Sequence, residues 1–474
     1  MTAPSLSDPA PRTAPPSGLP ASDVSTGVGL AGLVGLFAWI AFCRSFPEIA
    51  VIAGFGGDLG AERGVLSGPY AALAAMLFTA LPMALWSVAV DKVHRRPSTG
   101  IDWSRPRPLV EVLPISVVKL CGLWATWAVL AACYALARWY WSGNYLFAME
   151  VLTTAIVPLV TLSVPYVIWL DRYLVEPHDG AFQFGAFVLG GGVIGREQWH
   201  GQALAKHWRA WIIKGFFGAF MISILPPGFA QIVEADPAQL LANPVDFIML
   251  LVTLLFVIDV QIGTVGYLLT LRPLDSHIRS GNPFLGGWLA ALLCYPPFVW
   301  GIIGANGQIL SYEVGTPGWA HWLAGNDALL WVWGGLLVVL TGIYAWATVV
   351  FGIRFSNLTY RGVLTHGPYR FTRHPAYLSK NLFWWASVLP FLVTTDSAAD
   401  AIRNSVFLLV VNAIYYWRAR TEEAHLLAED PKYRDYHAWM ERHGLITAPL
   451  ARLKRAMIGD HAPRPAESHA FPAE

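Results

Sequence analysis

The chain is poor in charged side chains. Of its 474 residues, only 13% are Asp, Glu, Lys or Arg, whereas 55% are hydrophobic. Runs such as 247–270 and 328–351 are apolar nearly all round, which excludes an ordinary soluble domain, because a soluble helix keeps a polar face. The formal net charge is +1, so the sequence does not suggest nucleic-acid binding.

Cysteine and metal-binding patterns are also sparse. The four cysteines fall in or beside apolar runs and show no CxxC spacing, so buried thiols are a simpler interpretation than a disulfide framework. They are Cys43, Cys121, Cys133 and Cys294. The thirteen histidines include no HExxH pattern and no His–Cys cluster. The sequence therefore predicts no metal site.

The two ends of the chain lack apolar periodicity. Residues 1–25 are rich in Pro, Ala and Ser and contain Arg12 as their only basic residue, which is not the charged-then-apolar order of a signal peptide. We expect residues 1–25 to be a disordered tail. Residues 448–474 are expected to form a C-terminal tail, disordered from about Ile458.

The apolar runs predict an all-α, polytopic integral membrane protein with about ten transmembrane helices, because each run approaches the roughly twenty residues that cross a bilayer. The predicted spans are 26–43, 69–90, 115–137, 150–170, 211–230, 246–270, 285–304, 328–351, 381–395 and 403–417. The first seven spans lie in an N-terminal membrane region, residues 26–327, to which no function is assigned.

Basic residues decide the predicted orientation. The loops at 91–108 and 271–284 contain Lys or Arg, whereas those at 139–148 and 305–327 contain neither. Cytoplasmic loops retain Lys and Arg, so both termini are predicted to be cytoplasmic. In a bacterium the membrane would be the cell (inner) membrane.

A dense polar cluster interrupts the apolar pattern at residues 361–382, RGVLTHGPYRFTRHPAYLSKNL. Pro368 and Pro375 prevent one uninterrupted helix through this segment. A second charged segment, residues 418–442, is expected on the same cytoplasmic side. The two segments are therefore predicted to meet and to form a single site.

These two segments resemble the isoprenylcysteine carboxyl methyltransferase and phospholipid methyltransferase superfamily. The family pattern GxY, RHPxY, EExxL and YxxY is matched in order by Gly367–Tyr369, Arg373–Tyr377, Glu422–Leu426 and Tyr433–Tyr436. Ser379 stands where the family often has Gly, and Asp430-Pro431 replaces the usual Phe-Gly, so the local geometry departs from the family. The resemblance covers a module of about residues 328–447.

The resemblance implies S-adenosylmethionine as cofactor, bound at the cytoplasmic face, and a lipophilic acceptor that enters from the bilayer. Methyl transfer from a sulfonium is an in-line displacement, which requires aligned reactants and excluded water. Arg373 and His366 are the candidate catalytic residues, and His366 or a glutamate is the available base for an amine acceptor. The candidate cofactor-binding residues are Leu364, Tyr369, His374, Pro375, Tyr377, Leu378, Arg420, Glu422 and Glu423.

The glutamate pair has a second interpretation. Glu422 and Glu423 are expected to begin a helix that runs to about Met440, where carboxylates suit the helix dipole. Glu422 is also four residues after Arg418, so a surface ion pair worth about 0.3–0.5 kcal/mol is the alternative to a ligand contact.

Three further charged residues need an explanation. Arg361 and Lys380 are expected to contact anionic lipid headgroups from a cytoplasmic loop. Asp259 lies inside the sixth predicted span, where an ionisable side chain is expensive and usually functional. Asp259 is a candidate for substrate binding. A structural role, as a buried hydrogen-bonding group between helices, is an alternative of equal weight.

The leading prediction is methyl transfer from S-adenosylmethionine to a lipophilic acceptor, first an isoprenylcysteine-type carboxylate and second a phospholipid amine. An NADPH-dependent sterol or enone reductase is the alternative, since ten-span enzymes of that class have a similar RHPxY segment, although paired glutamates would repel a phosphate-rich cofactor. A third hypothesis is a lipid-binding or transport protein built on the first seven spans. Membrane lipids are expected partners, and the oligomeric state stays open.

Overall fold

A computed structural model of the protein describes residues 18–46, 66–138, 140–190, 199–236, 238, 240, 243–304 and 307–458. The chain is an all-α polytopic membrane protein. In the described part, eight helices are long and apolar enough to cross a membrane. They are α1 (Thr26–Ser45), α2 (Pro69–Ala89), α3 (Leu109–Ala137), α4 (Leu146–Asp171), α6 (Gly201–Glu234), α7 (Pro244–Leu268), α10 (Asp327–Phe351) and α12 (Ala398–Glu429).

Shorter elements connect these helices. The remaining helices are α5 (Gly180–Leu189), α8 (Leu285–Leu292), α9 (Trp319–Trp322), α11 (Pro375–Val388), α13 (Pro431–His443) and α14 (Thr447–Ile458). Two-residue strands β1 (Ser280–Gly281) and β4 (Thr359–Tyr360) pair antiparallel, and β2 (Ile303–Gly304) pairs parallel with β3 (Leu310–Ser311). The β1–β4 pair ties the loop after α7 to the start of the polar segment.

Two of the ten predicted spans correspond to shorter helices. The span 285–304 contains α8, of eight residues, followed by turns around Pro296-Pro297. The span 381–395 ends early because α11 stops at Val388, and Leu389 is left-handed with φ 53° before Pro390. Proline removes a backbone donor and disfavours helix in the preceding residue. Apolar composition therefore predicted two full membrane spans where the structure has shorter helices.

The expected N-terminal tail is wrong for residues 18–25. Asp23 forms an ion pair with Lys432 at 2.6 Å and accepts the Val363 N–H at 2.7 Å, and the Pro20 carbonyl accepts the Thr365 hydroxyl at 2.7 Å. We call residues 18–25 the N-terminal strap. The rest of that tail, residues 1–17, and the end of the C-terminal tail, residues 459–474, lie outside the described residues.

The wall of the polar segment is built by α7 and α10, which pack side by side, while α11 packs on α10. Gly266 allows the closest approach, because a Cβ there would lie 2.2 Å from the Phe355 carbonyl oxygen. The turn after α10 therefore lies directly against the end of α7. As a result of this contact, residues 355–364 run across the end of the helix bundle.

Candidate functional site

The two polar segments lie together, as expected. Arg373 Nε is 2.7 Å and His374 Nε2 is 3.0 Å from Glu423 Oε1. The Tyr377 hydroxyl donates to Glu422 Oε1 at 2.5 Å. Side chains separated by 45 to 50 residues in sequence thus form two neighbouring hydrogen-bonded groups, one on each glutamate.

Helix α11 presents its first turn to these groups. Pro375 is the first helical residue, where proline loses no intrahelical hydrogen bond and its fixed φ suits the helix. The His374 ring stacks on the Tyr377 ring with centroids 5.6 Å apart and planes 7° apart. The RHPxY order therefore places one ring before the helix and one inside its first turn.

The expected helix from Glu422 to Met440 is wrong. Both glutamates lie inside α12, which continues to Glu429, and a separate helix α13 follows. Asp430 ends the first helix and caps the second, accepting the Lys432 N–H at 2.8 Å, with Pro431 as the first residue of α13. The glutamates therefore gain nothing from a helix N-terminus, and their partners must be side chains.

A cavity of about 160 Å³ opens beside the glutamates. One water needs roughly 10–15 Å³ on this measure, so the cavity can hold a small organic group. Among the predicted site residues, those lining it are Leu364, Tyr369, Arg373, His374, Tyr377 and Glu422. The lining continues inward between α10, α11 and α12, through Tyr344, Lys380 and Tyr415.

Four predicted cofactor-binding residues lie outside the described lining: Pro375, Leu378, Arg420 and Glu423. The Glu423 side chain is only 3% exposed and receives Arg420 at 2.6 Å as well as Arg373 and His374. The Glu423 carboxylate thus binds the Arg373 guanidinium and the His374 ring, which line the cavity, although Glu423 itself does not line it. Arg420 is half exposed.

His366, predicted as a catalytic base, is not placed for that role. Within the described residues it does not line the cavity, and its Nδ1 lies 2.7 Å from the Ser22 hydroxyl of the N-terminal strap. Burial lowers the pKa of His366. The sequence could not show this contact, because the strap looked like a disordered tail.

Asp259 lies one layer behind the cavity. Its carboxylate accepts the hydroxyl of Thr348, and Thr348 lines the cavity whereas Asp259 does not. This hydrogen bond joins α7 to α10, which is the structural role expected as the alternative to substrate binding. Direct substrate contact by Asp259 is therefore not what the geometry favours.

The expected headgroup contacts of Arg361 and Lys380 are wrong. Arg361 is 4% exposed, and its guanidinium donates to the carbonyls of Gly266, Phe355 and Ile353 at 2.8–2.9 Å. Burial, together with the neighbouring Arg354, lowers the pKa of Arg361 to about 9. Lys380 lines the cavity among aromatic rings.

A buried ion cluster supports the loop beneath the cavity. Asp275 is 1% exposed, and its carboxylate accepts Arg354 at 2.6 Å, Arg279 at 3.2 Å and the Ser98 hydroxyl at 2.8 Å. His277 lies two residues away. Burial, and then the surrounding arginines, lower the pKa of His277 to about 3.

His277 is expected to make stability fall with acidification. The unfolded imidazole takes up a proton near pH 6.5, whereas the folded one stays neutral until about pH 3. The contribution is complete above pH 6.5, and about 2 kcal/mol of it is lost by pH 5. The free energy of unfolding in mixed detergent–SDS micelles should therefore drop less in His277→Gln than in the wild type. Equal drops would contradict the assignment.

Comparison with known proteins finds one family model, which matches only part of the chain. Residues 314–440 match the model of a family described as a protein of unknown function, DUF1295. That family is associated with steroid 5-alpha reductase-like and methyltransferase-like membrane proteins. The match includes the first polar segment, residues 418–440 of the second, and helices α10 to α12. No curated protein and no solved structure matches the chain.

Proposed function

We propose that the protein transfers a methyl group from S-adenosylmethionine to a lipophilic acceptor, in the cavity between the two polar segments. The observation that carries the proposal is the convergence of Arg373, His374, Tyr377 and Glu422 on one cavity inside a membrane helix bundle. A cavity lined by polar side chains and placed between membrane helices suits a polar cofactor and an apolar acceptor. We place the cofactor end at the cytoplasmic face, following the basic loops.

The polar groups of S-adenosylmethionine find partners in this cavity. Ala376 and Tyr377 line it from the first turn of α11, where backbone N–H groups lack helical acceptors and suit a carboxylate. Glu422 offers a carboxylate oxygen to ribose hydroxyls or an ammonium. The residues present therefore fit the cofactor.

S-adenosylmethionine supplies an electrophilic methyl group on a sulfonium cation. Tyr433 and Tyr436 also line the cavity, and aromatic rings attract cations by about 0.5–2 kcal/mol. Leu364 and Leu426 exclude water from the same space, which favours charge-neutralising transfer. These side chains bind and orient; none needs to move a proton if the acceptor is already an anion.

One observation supports the alternative function, an NADPH-dependent reductase, and that is the number of cationic side chains around the cavity. The cationic residues in the lining are Arg354, Arg361, Arg373, Lys380 and Arg418. The four arginines are already bonded to carboxylates or to backbone carbonyls. A phosphate-rich cofactor would have to break those bonds, so the pairing favours S-adenosylmethionine over NADPH.

Calorimetry on the full-length protein in non-ionic detergent tests the proposal. S-adenosylmethionine should bind to the wild type, and Glu422→Gln should weaken it about tenfold, since a charge-assisted hydrogen bond is worth about 1.5–3 kcal/mol. The matched control is Glu429→Gln in the same helix, which should change the affinity less than about twofold because Glu429 is an exposed surface group.

Three other outcomes would overturn the proposal. Binding of NADPH alone would assign the cavity to the reductase. Binding of neither cofactor would favour a lipid-binding or transport protein. S-adenosylmethionine binding that is equally strong in Glu422→Gln would place the cofactor elsewhere. If S-adenosylmethionine binds as expected, the next measurement is the transfer of labelled methyl groups into membrane lipid extracts.

A further inference from the structure

Lys380 differs from the other cations of the cavity in its partners. Within the described part of the chain it forms no ion pair, whereas Arg373 and Arg418 pair with glutamates at 2.7 and 3.2 Å. Its ammonium lies over three aromatic rings instead, 5.5 Å from the Tyr344 centroid, 5.3 Å from Trp384 and 5.7 Å from Tyr415. The Asp259 carboxylate attracts it from further away but bonds Thr348.

The position of Lys380 separates it from the proposed cofactor end. It lies three and four residues after Tyr377 and Ala376 in α11, so all three share one helix face. The rise of a helix places Lys380 about 5–6 Å further along the axis, away from the first turn. Trp384, one turn beyond, continues this face into the membrane span predicted from residue 381.

An ammonium held among aromatic rings without a carboxylate partner gives up part of its hydration. The rings attract the charged form of the lysine. A cation that lines a cavity and pairs with no carboxylate of the described residues suits an anionic group on a ligand. An ammonium in the same place would face a like charge.

We propose that Lys380 determines the acceptor specificity of the cavity by holding an anionic reacting group, so that the acceptor is an apolar molecule ending in a carboxylate rather than in an amine. The inference rests on the proposed methyl transfer and deepens it. Lys380 binds the carboxylate beside the proposed cofactor end, with the apolar chain directed along Trp384 between the membrane helices.

The resulting reaction balances without a base. A carboxylate oxygen forms a bond to the methyl carbon, the carbon–sulfur bond breaks, and its electron pair stays on sulfur. The anion and the sulfonium are both consumed, giving a neutral ester and a neutral thioether. No proton is released, so the reaction needs no base. This agrees with the position of His366, which does not line the cavity.

Binding of two chain-matched probes, laurate and dodecylamine, tests the inference in the absence of cofactor. We expect the wild type to bind laurate at least about tenfold more tightly than dodecylamine. Lys380→Met keeps the length and apolar character of the side chain and should abolish this preference. Lys380→Arg keeps the charge and should retain most of it. Ratios between variants cancel the partition of the probes into non-ionic detergent.

The outcomes separate this inference from the methyltransferase itself. A wild type that binds dodecylamine as tightly as laurate, or a Lys380→Met variant with unchanged laurate affinity, overturns the role of Lys380. Failure of the wild type to bind S-adenosylmethionine overturns the proposed function even if laurate binds selectively. S-adenosylmethionine affinity, measured for Lys380→Met as well, shows whether that variant keeps a folded cofactor end.

Discussion

Asp275→Asn is expected to lower the free energy of unfolding by about 3–5 kcal/mol, because it leaves the buried Arg354 guanidinium and the partly buried Arg279 guanidinium without their carboxylate. Asp275 joins Arg354 at the end of α10, Arg279 before β1 and Ser98 in the loop after α2. Asparagine has nearly the same shape and also tolerates the left-handed backbone of this position, φ 49°. The change therefore isolates the charge. SDS titration in mixed micelles, followed by tryptophan fluorescence, measures the loss.

The control for this prediction is the same substitution at an exposed ion pair. Asp400 lies 3.4 Å from Arg403, whose side chain is 38% exposed, and Asp400→Asn should cost no more than about 1 kcal/mol. The double variant Asp275→Asn with Arg354→Gln should recover part of the loss, since it removes one unpaired buried cation. If the two single variants cost the same, the buried cluster does not hold these loops together.

The membrane helices were predictable because their signal is local. A run of apolar side chains such as 328–351 satisfies its own backbone only as a helix, whatever surrounds it. Helix ends were predicted less well: α11 stops at Val388 through the conformation of Leu389, and α12 runs on past Glu423 to Glu429. Pro390 and Pro431 follow these two ends and are the local signal for them, which apolar composition alone does not contain. The side of the membrane on which the two termini lie stays a prediction.

The meeting of the two polar segments was predicted, but individual side-chain contacts between distant segments were not. Arg361 and Lys380 look like ordinary cations of a cytoplasmic loop, and only the packing of the helices shows that Arg361 is buried and that Lys380 lines the cavity. The acceptors of Arg361 include the Gly266 carbonyl, 95 residues away in sequence. The N-terminal strap likewise depends on Val363, which is 340 residues from Asp23. The RHPxY and EExxL patterns identified the cavity but not which of their residues line it.

Glu423→Gln is expected to weaken S-adenosylmethionine binding by about 10–100-fold, equivalent to about 1.4–2.8 kcal/mol, although Glu423 does not line the cavity. Its carboxylate holds Arg373 at 2.7 Å, His374 at 3.0 Å and Arg420 at 2.6 Å. Without that charge the cavity-lining Arg373 and His374 lose the partner that fixes their orientation, so the proposed cofactor contacts become misplaced. Calorimetry with the cofactor measures the change.

A positioning role for Glu423 predicts a divided result. Laurate binding at Lys380 should stay within about threefold of the wild type in Glu423→Gln, because the two ends of the cavity are one helical turn apart and have different charge partners. Glu441→Gln is the matched control: Glu441 approaches the same Arg373 at only 3.9 Å and is half exposed, so cofactor affinity should change less than about twofold. If Glu423→Gln instead abolishes the binding of both S-adenosylmethionine and laurate, Glu423 stabilises the fold of the whole cavity. A collapse of the cavity would remove laurate binding as well as cofactor binding.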